Sequence, residues 1–344
     1  MPKIQNSEES SVNIELPCRI ISMGKYLPNK VLSSSIEAAH GLPKGWALKF
    51  SGVEARHQVT HENVAFMGAK AAESALEKAN LSIEDIDVVI SANTSFDQIL
   101  PNQAALLLHL LQGGDSSRCT AFDINATCLS FVAAFNLAAE MLQQSNRKHI
   151  LIVSSEVSSK HLDPSDWETL TLFGDGAAAA VIGKSLHHES GIVKYKHDTF
   201  SEGHDKAKLL GGGISYPLKD NPWDVKLHSF KMDGKELLRL SLQYVPPFMN
   251  EFFSTLSLNW SEVDVVIPHQ ASKTGLNLLK KIAKLDPDKV ERTLESYGNC
   301  IAASIPLTFN DAFEKGKVLE GQTCFLCGTS AGFAVGALLY KHGS

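Results

Sequence analysis

Residues 120–144, TAFDINATCLSFVAAFNLAAEMLQQ, determine the architecture that the rest of the chain follows. The first part, 121–126, nearly alternates apolar and polar residues and predicts a short strand. From Cys128 to Met141 the pattern is apolar on almost every side, which predicts a buried helix. Thr127 supplies a hydroxyl suited to capping that helix. A buried helix directly after a strand is typical of a sheet covered by helices.

Cys128 falls at the first turn of this helix. Backbone N–H groups at a helix N-terminus carry partial positive charge, which favours a thiolate and helps to hold an oxyanion. These properties make Cys128 a candidate nucleophile. The alternative is a small cysteine that packs in the core, and the local pattern leaves it open.

Composition narrows the class of protein. The chain has 344 residues, 44% of them hydrophobic, and a formal net charge of −6 without a basic stripe, which argues against nucleic-acid binding. We expect no membrane span and no secretory leader, because apolar runs are short and residues 1–15 are polar. The six cysteines are scattered, unlike a disulfide framework, which favours a cytoplasmic protein. Cys324 and Cys327 have C-x-x-C spacing but no second pair or histidine cluster, so we expect packing rather than a metal site.

The sequence repeats itself. LSIEDIDVVISANTS (81–95) and LSLNWSEVDVVIPHQAS (256–272) contain the same apolar strand with the same aspartate. Each half continues through a helix to a polar turn, 126–128 or 298–300, and closes with an apolar strand. Internal similarity of this kind implies a duplicated unit. Alternating strands and helices predict parallel sheets, with functional groups at the carboxyl ends of the strands.

This repeat divides the chain into four parts. Residues 1–15 are expected to form a flexible N-terminal tail, and residues 16–184 the half that carries Cys128. Residues 185–234 give little periodic signal and are interpreted as an excursion over the surface. Residues 235–344 form the second half.

Two polar residues of the second half are further candidates. His269 follows the strand 263–267, and Asn299 lies at a tight turn before a helix of small residues. Taken singly, each is more simply a structural hydrogen bonder or a helix cap. In a duplicated fold, however, Cys128, His269 and Asn299 all lie at or just beyond strand ends and can converge.

Five motifs in register resemble those of the thiolase superfamily, and most closely the ketoacyl-acyl-carrier-protein synthase III family of condensing enzymes. The motifs are ATCLSF at 126–131, FGDGAA at 173–178, PHQAS at 268–272, GNCIAASIP at 298–306 and GTSAGFAVG at 328–336. The resemblance covers nearly the whole chain. It implies an α/β fold with five αβαβα layers built from two duplicated halves, and a homodimer. It implies no cofactor beyond acyl-CoA or an acyl carrier protein as substrate.

The resemblance also assigns roles. Cys128 is the acyl-accepting nucleophile, and His269 and Asn299 complete a Cys-His-Asn triad that stabilises the enolate of a malonyl-type thioester. The backbone N–H groups of Cys128 and Ala331 form a second oxyanion hole. The implied activity is acyl transfer from a thioester to Cys128, followed by decarboxylative Claisen condensation to a β-keto product.

Substrate-binding positions follow from the same motifs. Trp46 matches the residue that stacks on the adenine of coenzyme A, and Arg56 and Phe173 are assigned to the substrate site with it. At three positions where the family commonly has cations, this chain has Phe50, Trp167 and Thr274. Loss of these cations weakens charge-assisted phosphate contacts, which favours a specialised enzyme of secondary metabolism or lipid signalling over a housekeeping one. Leu100 falls where relatives insert a side chain into the partner subunit's acyl pocket, and a leucine there would admit a longer chain.

Three alternatives to condensation remain. Cys128 could pass its acyl group to an oxygen, nitrogen or non-malonyl carbon nucleophile, as some relatives do. The chain could be a non-catalytic partner of a condensing complex, although the complete triad argues against this. A papain-like hydrolase shares the Cys-His-Asn order but gives no role to the FGDGA and GNxxAAS contexts.

Overall fold

The computed structural model describes residues 13–185, 189–217, 219–220, 223–259, 262–283 and 286–343. Residues 1–12 of the expected N-terminal tail therefore lie outside the described residues. The strands are β1 Leu16–Pro17, β2 Arg19–Tyr26, β3 Asn29–Leu32, β4 Ala55–Gln58, β5 Val88–Ala92, β6 Thr120–Ile124, β7 His149–Glu156, β8 Gly176–Gly183, β9 Gly191–Thr199, β10 Ala207–Lys208, β11 Lys231–Met232, β12 Val265–Pro268, β13 Thr323–Ser330 and β14 Ala334–Lys341. The helices are α1 Ser33–His40, α2 Trp46–Phe50, α3 Val64–Ala79, α4 Gln103–Leu110, α5 Ser130–Leu142, α6 Trp167–Leu170, α7 Val225–His228, α8 Gly234–Ser254, α9 Lys273–Ala283, α10 Leu294–Tyr297 and α11 Ser304–Glu314.

Two mixed five-stranded sheets form the frame. The first has the order β2-β8-β7-β5-β6 and the second β1-β9-β14-β13-β12. In the first, β5 runs parallel to both β6 and β7. In the second, β12 runs parallel to β13. The remaining pairs within the two sheets are antiparallel.

Helices separate and cover the two sheets. The largest apolar cluster joins α5 and α11 to strands of both sheets, so these two helices form a central layer. Helices α3 and α4 cover the outer face of the first sheet, and α8 packs on the outer face of the second. The resulting order is helix, sheet, helix, sheet, helix. This confirms the five-layered αβαβα, thiolase-like fold that the sequence predicts.

The central helix is buried as its composition predicts. Phe131, Val132 and Phe135 of α5 have no exposed surface. The Phe135 ring lies 5.3 Å from the ring of Tyr340 in β14, which couples the helix to the second sheet. Burying a large apolar side chain contributes about 1.5–3 kcal/mol relative to leaving it exposed. A helix with apolar residues on almost every side therefore gains stability from lying between the two sheets.

The segment 185–234 departs from the expected surface excursion. Residues Gly191–Thr199 form β9, which pairs with β14 in the second sheet. Within it, Lys194 and Lys196 alternate with apolar positions, a period-two pattern that is typical of a strand. These lysines extend over α8, where the Lys194 ammonium donates to the Phe252 carbonyl at 2.6 Å and Lys196 pairs with Glu251 at 2.9 Å. Long lysine stems can cover apolar surface while the charge remains at the edge.

Candidate active site

Cys128 lies in a short 3₁₀ turn, Thr127–Leu129, between β6 and α5. Thr127 has a left-handed backbone, with φ of 51°. Two side chains hold this conformation: Asn125 Oδ1 accepts the Thr127 N–H at 3.0 Å, and Ser130 Oγ accepts the Ala126 N–H at 3.0 Å. The expected helix start thus contains a separate turn that presents the cysteine ahead of the α-helix.

The Cys128 sulfur is surrounded by two donors and one negative charge. The pKa of the Cys128 thiol is raised to about 12, chiefly by burial and to a lesser extent by the charge of Glu156. Hydrogen bonds from the backbone N–H groups of Ala331 and of Cys128 itself lower it. The N-terminal N–H groups act in the expected direction, but burial outweighs them. The resting residue is therefore a thiol whose proton must leave as the sulfur attacks.

The turn after β13 is fastened to the cysteine turn. The Thr127 hydroxyl donates to the Ala331 carbonyl at 3.3 Å, and the Ala331 N–H faces the Cys128 sulfur. The two backbone donors expected to form an oxyanion hole are therefore adjacent to the nucleophilic atom.

His269 follows β12 directly. Its N–H donates to the Cys327 carbonyl at 2.8 Å, which continues the register with β13. The side chain is 6% exposed, and burial lowers its pKa to about 4, so the imidazole is neutral at neutral pH. Its Nδ1 has no hydrogen-bond partner among the described residues. A Cβ on Gly328 would lie 2.6 Å from the His269 Cβ, so this close packing requires glycine there.

Asn299 is fixed on both its backbone and its amide. Its N–H donates to the Leu172 carbonyl at 2.9 Å, and its carbonyl accepts from the Gly174 N–H at 3.1 Å. The side-chain Oδ1 accepts from the Ile301 N–H at 2.9 Å, and Nδ2 donates to the Ala271 carbonyl at 3.2 Å. One Nδ2 hydrogen therefore remains for a ligand.

These contacts link the three predicted residues. The 3₁₀ turn with Cys128 contacts both β13 and the 3₁₀ turn Ile301–Ala303 that follows Asn299. The hydrogen bond to Ala271 ties Asn299 to the loop just after His269. Thiol, imidazole and amide thus belong to one connected set of turns at the carboxyl ends of the strands, where such folds place functional groups.

Glu156 is an acidic residue at this site that sequence reasoning missed. It ends β7 and has no exposed surface. Burial raises its pKa to about 7, against hydrogen bonds from Ser95, Thr94 and Ala302 that lower it. The available signal was an acidic residue that follows the apolar run 150–153 and two serines at the end of the strand.

An aromatic cluster surrounds Trp46. Its ring lies 4.7 Å from that of Phe50 and 5.9 Å from that of Trp167, the latter edge-on. Phe50 and Trp167 stand at two of the positions where the resemblance suggests cations, and their rings contact Trp46. The third, Thr274, lies in the first turn of α9.

Arg56 does not lie on an open surface. It has no exposed area; its Nη1 donates to the Leu170 carbonyl at 3.0 Å and its Nη2 to the Ser33 hydroxyl. Burial lowers its pKa to about 10. The expectation that Arg56 contacts substrate is therefore corrected: its side chain anchors the end of α6, the helix that begins with Trp167.

The two remaining candidates have opposite surroundings. Phe173 is buried, bridges Asn299 through the backbone and meets Phe230 with ring centroids 4.9 Å apart. Leu100 is 82% exposed, beside Ile99 at 73%.

No helix in the described part of the chain is long and apolar enough to cross a membrane.

Comparisons with known proteins agree with this architecture. The sequence model of 3-oxoacyl-[acyl-carrier-protein] synthase III matches residues 122–200, and that of its C-terminal part matches residues 253–342. The beta-ketoacyl-[acyl-carrier-protein] synthase III of Campylobacter concisus is 32% identical over 328 residues, covering 94% of this chain and 96% of that protein. The Serratia proteamaculans enzyme of the same name is 32% identical, covering 94% and 99%.

Solved structures extend the similarity to three dimensions. The 3-oxoacyl-[acyl-carrier-protein] synthase III of Aquifex aeolicus superposes with a TM-score of 0.85 at 28% identity, covering 94% of this chain and 100% of that one. Xanthomonas campestris OleA has a TM-score of 0.81 at 21% identity, which indicates a shared fold.

Proposed function

Because the chain belongs to the 3-oxoacyl-[acyl-carrier-protein] synthase III family, we propose that Cys128, His269 and Asn299 perform its condensation. The chain is a condensing acyltransferase of that type, which joins an acyl group to a malonyl-type thioester with loss of carbon dioxide. The observation that supports the assignment of residues is that the turn with Cys128 contacts both β13, which pairs with the strand before His269, and the 3₁₀ turn that follows Asn299.

Acylation is the first step. The Cys128 sulfur attacks the thioester carbonyl, its proton passes to the departing thiolate, and an acyl-Cys128 thioester and a free thiol result. During attack the carbonyl oxygen becomes an oxyanion. The N–H groups of Cys128 and Ala331 are placed to donate to it, because both already point at the sulfur.

Condensation is the second step. The malonyl-type thioester loses carbon dioxide, and its carbonyl oxygen gains the enolate charge. The neutral His269 imidazole and the free Nδ2 hydrogen of Asn299 donate to that oxygen. The enolate carbon then attacks the acyl carbon, and the bond from that carbon to the Cys128 sulfur breaks. The β-keto thioester leaves, and the Cys128 thiolate takes up a proton from solvent. A histidine whose pKa is lowered to about 4 suits this role, because it donates as a neutral group.

The aromatic cluster supports a specialised substrate. Trp46, Phe50 and Trp167 present ring faces and edges where the resemblance suggests cations. Such a surface contacts apolar or aromatic groups better than phosphates, so we assign this enzyme to a branch of lipid or secondary metabolism. Trp46 and Phe173 remain the proposed substrate-binding residues, and the donor is an acyl-CoA or an acyl carrier protein.

A second copy of the chain is the proposed partner. Strand β6 is the outer strand of the first sheet, and the nearby segment 96–100 exposes Phe96, Ile99 and Leu100 at 58%, 73% and 82%. Exposed apolar side chains beside an unpaired strand edge are typical of an interface. Leu100 would then reach the acyl pocket of the partner and leave room for a long chain.

Six unpaired cysteines favour a reducing, cytoplasmic location.

Carbon dioxide release tests this function. We expect release from a malonyl thioester with acyl-Cys128 enzyme, and a β-keto product of matching mass. The variant His269→Ala should keep acylation and lose about 10²–10³-fold in carbon dioxide release, because one donor to the enolate is gone. Acyl transfer to another nucleophile without carbon dioxide release would instead support the alternative acyltransferase.

A further inference from the structure

Two very short helices carry the aromatic cluster of Trp46, Phe50 and Trp167. Helix α2 has five residues and α6 has four, and the rings of Phe50 and Trp167 are exposed. Helices of about one turn are not stable without support from the rest of the fold. The arrangement of the three rings must therefore be held by contacts beneath the surface.

Glu37 of α1 holds the beginning of α2. Its Oε2 accepts the Gly45 N–H and its Oε1 accepts the Ala47 N–H, each at 2.9 Å. These two residues flank Trp46, whose own N–H donates to the Pro43 carbonyl at 3.0 Å. The Glu37 side chain is buried, and burial of a carboxylate is tolerated only where such hydrogen bonds compensate for it. The backbone of Trp46 is therefore fixed on both sides.

Ser51 holds the other end of α2. Its hydroxyl lies 2.5 Å from that of Thr171, the residue just after α6. The single hydroxyl hydrogen of Thr171 is donated to the Trp167 carbonyl at 2.8 Å, so Ser51 is the donor in the first bond. Ser51 thereby joins α2 to the helix that presents Trp167. This link sets the separation of the two helices, and with it the edge-on contact of the Trp46 and Trp167 rings at 5.9 Å.

Arg56 closes the network. Its Nη1 donates to the Leu170 carbonyl at the end of α6, and its Nη2 donates to the Ser33 hydroxyl at the start of α1. Helices α1, α2 and α6 are thus joined in a closed set of hydrogen bonds through Glu37, Ser51 and Arg56. These three side chains are buried. Hydrogen bonds are stronger in the low dielectric of the interior, so such a network favours one arrangement of the helices that it joins.

We propose that Glu37 and Ser51 are positioning residues that hold the rings of Trp46 and Trp167 as a preformed platform for the flat base of an acyl-CoA donor. The inference rests on the substrate-binding role proposed above for Trp46. Bases stack on aromatic rings, and rings that are fixed before binding lose less entropy when the donor arrives. Neither side chain takes part in the chemical steps, so its loss should weaken donor binding and leave turnover unchanged.

Two variants act on the two ends of α2. Glu37→Gln keeps the length of the side chain, but its single amide oxygen can accept only one of the two N–H groups. Ser51→Ala removes the hydroxyl that reaches Thr171. The matched controls are Asp87→Asn and Ser22→Ala, which lie outside this network. Asp87 accepts two backbone N–H groups at the start of β7, and Ser22 donates to a backbone carbonyl of α3.

The first measurement compares steady-state kinetics with an acyl-CoA and with the matching acyl-N-acetylcysteamine thioester, which has no base. We expect Glu37→Gln and Ser51→Ala to raise KM for the acyl-CoA about 3- to 10-fold, because displaced rings stack less well on the base. The kcat and the KM for the short thioester should stay at wild-type values, and both controls should match wild type. A KM for acyl-CoA that is unchanged in both variants, raised equally for both thioesters, or raised also in the controls would overturn the inference.

The second measurement asks whether the effect acts through Trp46. In a Trp46→Ala background, Ser51→Ala should raise KM for the acyl-CoA no further, because the ring that it positions is already gone. A full additional effect there would reveal a general structural role and overturn the inference. If Ser51→Ala does not fold, Glu37→Gln in the same background decides the question.

Two kinds of failure are distinguishable. An unchanged KM for the acyl-CoA in Trp46→Ala alone would overturn the proposed substrate-binding role of Trp46, and this inference with it. A KM that rises in Trp46→Ala but in neither Glu37→Gln nor Ser51→Ala would leave the role of Trp46 in place and overturn the positioning role alone.

Discussion

Asn125 and Asn299 occupy equivalent positions in the two halves of the fold. The Oδ1 atom of each accepts from the backbone N–H two residues later, Thr127 at 3.0 Å and Ile301 at 2.9 Å. Both of these following residues are left-handed, with φ of 51° and 46°. The duplication has kept one turn: the first copy presents Cys128, and the second presents the amide of Asn299.

We predict that alanine at these two positions separates the two half-reactions. Asn125→Ala loosens the turn that presents Cys128, so it should slow acylation and spare malonyl decarboxylation. Asn299→Ala removes an enolate donor, so it should lose about 10²–10³-fold in decarboxylation and keep acylation. Asn125→Ala loses the hydrogen bond from Thr127 and should lose about 1 kcal/mol of stability. Asn299→Ala loses the hydrogen bonds to Ile301, Ala271 and Ser304 and should lose about 2–3 kcal/mol. Stopped-flow acylation and carbon dioxide release measure the two steps; the same step impaired in both variants would contradict this division.

The sequence alone does not give the correct alignment of the two halves. A comparison of the two sequences aligns the polar turns 126–128 and 298–300, and therefore Cys128 with Cys300. In the structure the hydrogen bonds pair Asn125 with Asn299, and therefore Cys128 with Ala302. The two alignments differ by two residues because a sequence comparison matches side-chain identity, whereas the two turns share their backbone conformation.

Other features of the fold also divide into those that the sequence predicts and those that it does not. The buried helix α5 and the strand–helix alternation were predictable because they depend on local periodicity. The hydrogen bonds from Thr94 and Ser95 to Glu156 were not, because they join residues far apart in the chain. The burial of Arg56 was not either, since arginine is almost never fully buried unless it has partners elsewhere in the fold.

Acid should destabilise the protein through His269. Its pKa is lowered from 6.5 to about 4 in the fold, so the unfolded chain binds one more proton between these values. The stability contributed by the neutral histidine is complete above pH 6.5 and is lost as the pH falls toward 4. We predict that the free energy of unfolding by urea falls more steeply over this range in wild type than in His269→Gln. Parallel slopes would contradict a buried neutral histidine.

The aromatic cluster should discriminate against phosphates. We predict that Phe50→Arg with Trp167→Arg lowers KM for an acyl-CoA by about two- to five-fold, since exposed ion pairs contribute modestly. The gain should disappear at high salt. An acyl-N-acetylcysteamine thioester has no phosphate and serves as the control, with KM unchanged or raised. An equal gain for both thioesters would contradict a phosphate effect.

We predict that the exposed segment 96–100 forms the interface of the proposed dimer. We predict that wild type elutes at twice the mass of one chain by size exclusion with light scattering. Ile99→Asp with Leu100→Asp should give monomers, because charges replace apolar contacts. Leu319→Asp, at a leucine 55% exposed just before β13, is the matched control and should remain dimeric. Persistence of the dimer in the double variant would place the interface elsewhere.

The measurement that tests the central claim most directly is intact mass after incubation with a series of acyl-CoAs, for wild type and Cys128→Ala. We predict one acyl adduct on wild type, located at Cys128 by peptide mass, and the role proposed for Leu100 further predicts adducts of long chains. Cys128→Ala should show none. An acyl adduct of the same yield on Cys128→Ala, or no adduct on wild type with any chain length, would contradict the assignment of Cys128 as the acyl carrier.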